Sequence, residues 1–361
     1  MAPSTVLRIQ LATLFRFVVL AVAACSPPSF LAAQERPSSP EASGKKLVTP
    51  ETQRAIDRGL KFLIQRQDAD DGSFGSGVDY RRNVAITSLC GMAFLSAGHT
   101  PGRGEYGAVV EHAVDFVLSR CQPNGFIVDR ASMSHGPMYG HGFATTFLAE
   151  VYGMTSNRQL RPKLQQAVHL IVNVQNKEGG WRYQPEVVEH ADISVTVCQI
   201  MALRAARNSG LYVPKNVVDR AVEYVISSQN SDGGFRYQLV RREASEFPRS
   251  AAAIVALYNA GIFEGPTIEN GLEYLARFMP RGRNLRFESQ YYYGHYYAVQ
   301  AMWHAGGHYW PTWYRAIRDE LVARQDTSGE WPDSYISHEY ATAMACLVLQ
   351  TPNNYLPIFQ R

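Results

Sequence analysis

Four histidines stand at the entry to helix-like runs of this 361-residue chain: His141-Gly-Phe-Ala144, His190-Ala-Asp-Ile193, His295-Tyr-Tyr-Ala298 and His338-Glu-Tyr-Ala341. Each falls three residues before the point at which those runs align. Neutral imidazole is a common ligand for zinc, copper, iron or nickel, and near neutral pH it also gives or takes a proton. Asp192 and Glu339 lie beside two of the four. The pattern predicts a shared polar site. In one form His141, His190, His295 and His338 hold a divalent metal such as zinc. In the other, His295, His338, Asp192 and Glu339 take acid–base roles. The competing expectation is that each His packs on the next turn and hydrogen-bonds a loop. No local His-Glu-x-x-His spacing supports a metal, and the first and fourth runs carry Arg82 and Phe247-Pro-Arg249 in place of the histidine.

Aromatic residues crowd the last third, with Tyr291, Tyr292, Tyr293, Tyr296, Tyr297, Trp303 and Trp310 close together. Ring faces of this kind stabilise cationic intermediates or stack on sugars, and they also bury much area in plain packing. Tyr292, Tyr293 and Trp303 are the expected cavity residues. Asp68-Ala-Asp-Asp71 gathers three carboxylates in a polar turn, where solvation keeps their pKa values ordinary.

The elements that position these residues are repeats. Gln175-Asn-Lys-Glu-Gly179-Gly-Trp181, Gln229-Asn-Ser-Asp-Gly233-Gly-Phe235 and Gln325-Asp-Thr-Ser-Gly329-Glu-Trp331 share one spacing. Gln67 to Phe74 and Gln122 to Phe126 are looser copies, and a fifth keeps only Gly282 and Phe287. Upstream, Gly59, Ala113, Ala167 and Ala221 recur at a constant step of 54 residues, which then shortens to 50 and 45. Such self-similarity marks a repeat architecture. Each copy reads as an amphipathic helix, a Gly-rich stop, and a helix apolar nearly all round, hence buried. Period-two alternation is scarce. The expectation is an all-α, single α/α toroid of about six helical hairpins over residues 49–361, the second helix of each pair inside. An open solenoid is the alternative, but it needs polar end caps, and the last inner run, Met344 to Leu349, is as apolar as the rest.

The Gln-x-x-x-Gly-x-Trp turns and paired helices resemble the prenyltransferase and squalene-oxidase repeat family, which includes squalene cyclases, terpenoid cyclases and protein prenyltransferase β subunits. The resemblance covers about residues 50–350. It implies a toroid cavity that binds or transforms a small apolar, isoprenoid-type ligand. Squalene-type cyclases carry an Asp-x-Asp-Asp acid motif. Asp68-Ala-Asp-Asp71 fits its letters but sits in a turn, outside any inner helix. Prenyltransferase β subunits hold zinc with an Asp-Gly-Cys-Tyr segment and a later His. Tyr293-Gly-His295-Tyr is similar with both ligand positions altered, and His338 matches the later His to within one position. Two other functions stay open. One is a non-catalytic binding or scaffold toroid. The other is a carbohydrate-active toroid using two of Asp192, Glu288, Asp333 and Glu339.

A formal charge of +3 and no basic stripe interleaved with aromatics argue against nucleic acid. Arg8 and Arg16 precede the short apolar run Phe17–Ala24, the pattern of an export signal over residues 1–33. Val22-Ala-Ala-Cys25 resembles a lipobox that would make Cys25 a lipid anchor and the sole membrane contact. Cleavage near Ala33 is the other expectation. Residues 34–48 then form a flexible leader, and the protein is periplasmic or secreted. The later cysteines, Cys90, Cys121, Cys198 and Cys346, read as packing residues rather than a disulfide framework.

Overall fold

The computed structural model describes residues 44–132, 136–280 and 290–360. The targeting segment with Cys25, the leader up to residue 43, and Gly282, Phe287 and Glu288 lie outside the described residues.

Six outer helices alternate with six inner ones. The outer set is α1 Pro50–Arg66, α3 Gly107–Ser119, α5 Leu160–Asn173, α7 Lys215–Ser227, α9 Pro266–Ala276 and α11 Tyr309–Arg324. The inner set is α2 Val84–Ser96, α4 Pro137–Val151, α6 Ile193–Asn208, α8 Phe247–Asn259, α10 Tyr291–Ala305 and α12 His338–Gln350. Each inner helix packs on its two inner neighbours, and α12 packs on α2. The ring is therefore closed, which rules out the open solenoid. The composition of each helix explains its layer. Helix α2 buries every residue except Ala85, whereas α1 buries only one stripe, through Ile56, Leu60 and Leu63.

The repeated turns weld neighbouring hairpins together. Gln175 Nε2 donates to Gly179 O at 2.8 Å in its own turn and to Val217 O at 2.9 Å at the start of the next outer helix. Gln229 does the same to Gly233 O and Thr267 O, and Gln67 to Gly72 O and Val109 O. Gln325 bonds Gly329 O and Ala55 O, so the last turn is tied to α1 and closes the ring. The turn glycine is obligatory. Gly179 has φ 94°, and a Cβ there would sit 2.2 Å from Arg220 O, a contact that no side chain tolerates. The second copy departs, because Gln122 Nε2 reaches only Arg120 O nearby.

At the C-terminal ends of the inner helices the tail folds inward. Leu356, Ile358 and Phe359 are buried, Trp303 Nε1 donates to Phe359 O at 3.1 Å, and the Phe359 ring meets Tyr296 at 6.3 Å. Cys90, Cys198 and Cys346 are buried and unpaired in the helix packing.

Candidate functional site

A second set of bonds fixes the register of the inner helices. In the first turn of five of them, one side chain accepts a backbone N–H of the repeat's turn. Thr87 Oγ1 takes Phe74 N–H at 2.9 Å, Thr196 takes Trp181 N–H at 3.0 Å, Ser250 takes Phe235 N–H at 2.9 Å and Thr342 takes Trp331 N–H at 3.0 Å. In α4 the pin is His141, whose Nδ1 accepts Ile127 N–H at 3.2 Å. The residue two before the pin faces a common space. Ala85, Tyr139, Ser194, Pro248 and Tyr340 all line one cavity of about 590 Å³ at the N-terminal mouth of the inner ring, and Tyr293 joins them when His295 takes the same slot in α10. The turn that His295 would pin falls within 281–289, outside the described residues.

This register corrects the histidine ring. Aligning the inner helices by their small apolar runs slips them against one another by up to six residues. His141 and His295 stand at the pin, His338 four residues before its pin and His190 six before. His141 is fully buried, and its Nε2 lies 3.2 Å from Ala167 O. Both nitrogens serve the scaffold, and burial pushes its pKa down to about 4. His190 and His338 are partly exposed and pair with turn carboxylates, Glu178 at 3.1 Å and Glu330 at 2.7 Å. His295 sits among the rings of Tyr291 at 4.5 Å and Phe247 at 5.1 Å, its pKa driven down to about 3 by burial and then by Arg324. Among the described residues no group of three or more His, Cys, Asp or Glu is placed to hold a metal ion. The donor set does not fit zinc or another divalent metal.

The remaining candidates separate as well. Tyr293 lines the cavity, with its hydroxyl donating to Ser194 O at 3.4 Å. Tyr292 instead donates to Pro332 O, and Trp303 is spent on the tail at the opposite end. Glu339 faces outward, taking Arg66 Nε–H and Ser76 O–H, both at 2.8 Å. Burial pushes its pKa up, but these bonds more than offset that and leave it below the ordinary value. Asp68-Ala-Asp-Asp71 is a turn, in which Asp68 Oδ1 accepts Asp70 N–H and Asp71 pairs with Arg82 at 2.8 Å.

Asp192 is different. It caps α6, Oδ1 accepting Val195 N–H at 2.9 Å, an arrangement that ordinarily holds a carboxylate charged. Yet the residue is 0 % exposed, and Oδ2 makes no hydrogen bond of normal geometry. Burial raises its pKa to about 7 against the Val195 bond and the Arg182 charge. It lies near enough to Tyr139, Tyr237 and Tyr293 to raise the pKa of each, burial being the larger cause. All three line the cavity.

Residues 144–282 match the family model described as the squalene-hopene cyclase C-terminal domain. The squalene–hopene cyclase of Bradyrhizobium diazoefficiens is 26% identical over 222 residues, which cover 54% of this chain and 31% of that protein. The chain spans about a third of the length of the curated relatives it matches. Among solved structures, a type II terpene cyclase from Scytonema superposes with a TM-score of 0.59 and 14% identity, covering 85% of this chain and 99% of that one. The chain is an α/α toroid, similar over part of its length to the squalene-hopene cyclase C-terminal domain. An α-1,6-mannanase from Salegentibacter sp. HEL1_6 superposes with a TM-score of 0.64 and 6% identity, covering 84% of this chain and 99% of that one. That likeness is one of fold.

What the toroid offers chemically is one mouth lined by tyrosines, with the buried Asp192 carboxyl behind three of them. Tyr80, Tyr183, Tyr237 and Tyr340 belong to the cavity and were not among the residues that sequence spacing singled out. The available signal was a hydroxyl residue 11 to 15 positions after four of the turn aromatics. Counting back two residues from it finds Tyr340, and the other three tyrosines sit in the segments before the inner helices.

Proposed function

We propose that this toroid binds a small prenyl-type amphiphile in its mouth cavity, apolar end inward, and that Asp192 supplies or takes a proton there. The observation that carries this is the grading of the lining with depth. Asn83 and Glu246, four residues before their pins, stand at the rim. Arg249 is also there, its guanidinium returned to Glu246 at 3.0 Å and to Ala244 O. The tyrosine belt comes next. Leu89 and Phe143, two residues past their pins, make an apolar floor. Six helical residues from rim to floor give about 9 Å of depth, and the volume suits a small-molecule site. A carboxyl that titrates near neutral pH beside such a space is suited to general acid–base work. The same proposal puts this binding outside the cytoplasm, a reading supported by the Arg8, Arg16 and Phe17–Ala24 pattern with its choice between Cys25 and cleavage near Ala33.

The test is incubation of the full chain with farnesol or geranylgeraniol in D₂O. Expected results are saturable binding and deuterium in the recovered prenyl product, with incorporation lost in Asp192→Asn. Failure of either prenyl alcohol to bind overturns the reading. A second reading has one observation of its own. Asp333 acts on Tyr80 and Tyr340 as Asp192 acts on Tyr139 and Tyr293, so a second carboxyl lies behind the cavity's tyrosines, and glycoside chemistry uses a pair. Binding of mannooligosaccharides in place of prenyl alcohols supports it.

A further inference from the structure

The Asp192 carboxyl does not itself face the cavity, and the tyrosines around it do. Two of them hold equal places in consecutive repeats: Tyr183 follows Trp181 by two residues, and Tyr237 follows Phe235 by two. Their hydroxyls are hydrogen-bonded to one another, although they are 54 residues apart in sequence. The backbone fixes both at the mouth. Tyr183 O accepts Met138 N–H at 3.0 Å at the head of α4, and Tyr237 O accepts Ile193 N–H at 3.0 Å at the head of α6, next to Asp192. Asp192 N–H in turn donates to Trp181 O at 3.0 Å. Both tyrosines line the cavity. Tyr237 also lies close enough to the carboxyl to favour its charged form.

We propose that the Tyr237 and Tyr183 hydroxyls relay a proton between the buried Asp192 carboxyl and a ligand in the cavity, an inference that rests on Asp192 being the proton-holding group. In the forward direction Asp192 gives its proton to Tyr237 Oη. Tyr237 gives its own to Tyr183 Oη, and Tyr183 gives its own to the ligand. Asp192 ends as a carboxylate, the ligand gains one proton, and both tyrosines end neutral with one proton exchanged. The return of a proton from product to Asp192 runs the same path backwards. Burial holds the Tyr237 pKa well above its ordinary value, so a tyrosinate does not accumulate and the hops are concerted. The groups that bear on Asp192 from the surrounding elements are Arg182, Tyr139, Tyr224, Tyr293 and Cys198. Among the described residues, Tyr237 both bears on Asp192 and bonds onward to a second hydroxyl at the cavity.

The experiment is a carboxyl ¹³C titration of the full chain labelled at aspartate, with Asp192→Asn identifying the resonance. The wild type is expected to titrate near neutral pH. A hydroxyl that donates to the carboxylate favours the charged form, so Tyr237→Phe is expected to raise the midpoint by about half a pH unit. Tyr183→Phe is expected to move it through Tyr237 by a smaller amount, which a merely structural role for Tyr183 does not produce. Both variants keep the ring and its packing, and an unchanged melting temperature verifies that. If the wild-type midpoint is near neutral and neither Phe variant moves it, the relay is wrong and the proton-holding reading of Asp192 stands. A wild-type midpoint at the ordinary aspartate value overturns both.

Discussion

The pins and the cavity lining sit two residues apart on five of the inner helices and behave in opposite ways. The pins are Thr87, His141, Thr196, Ser250 and Thr342, each with an acceptor atom aimed at a turn N–H. The lining positions beside them are Ala85, Tyr139, Ser194, Pro248 and Tyr340, which range from a methyl group to a phenol. Where the repeats agree they hold the ring together, and where they diverge they shape the space inside it. A residue's role therefore follows from its place relative to the pin. His141 and His338 show this: one is a scaffold acceptor, and the other is a partly exposed partner of Glu330.

Substitutions should separate the two regions. The largest effect belongs to the turns. Gly179→Ala forces a side chain against Arg220 O at a left-handed φ and is expected to destabilise by about 3 kcal/mol or more in urea unfolding. Gln175→Ala removes the bonds to Gly179 O and Val217 O, and about 2 kcal/mol is expected by the same measurement. Thr196→Val strips one pin and leaves Trp181 N–H buried without its acceptor, at a cost of about 1–3 kcal/mol. The lining should answer weakly. Tyr139→Phe is expected to stay within about 0.5 kcal/mol of wild type while changing ligand affinity. A lining change as costly as a pin change would erase the distinction.

Asp192 sharpens the comparison through pH. Burial raises its pKa to about 7, well above the ordinary aspartate value. A raised carboxyl favours the protonated form in the folded state. Its contribution is fully present below the unfolded value and is lost as pH rises toward about 7. Over that window the wild type should lose up to about 1.4 kcal/mol of stability per pH unit relative to Asp192→Asn. Thermal melts of both proteins from pH 4 to 8 check this. Parallel curves would mean that the carboxyl is not raised.

The architecture was legible in the sequence because its determinants are local and repeated. The Gln–Gly–aromatic turn, the 54-residue step and the all-apolar second helix each state their role within a few residues. The lining was not legible by the same route. Runs of small apolar residues carry no register, since one Ala in a buried helix resembles the next, and aligning on them misplaced His190 and His338. The register lies in hydrogen bonds reaching back to the preceding turn. Asp192 was visible as a candidate, but its environment was not. Tyr139 and Tyr237 arrive beside it from the adjacent hairpins, and Tyr293 from a more distant one across the ring.

The central claim is that the residue two before each pin faces a ligand while the pin holds the fold. Geranylgeraniol binding and melting temperature, measured together on Tyr340→Phe and Thr342→Val, test it most directly. Tyr340→Phe keeps the buried ring, so it should weaken binding about fivefold, about 1 kcal/mol, and keep the melting temperature. Thr342→Val should lower the melting temperature by several degrees and keep the affinity of the folded protein. The reverse pattern would contradict the account.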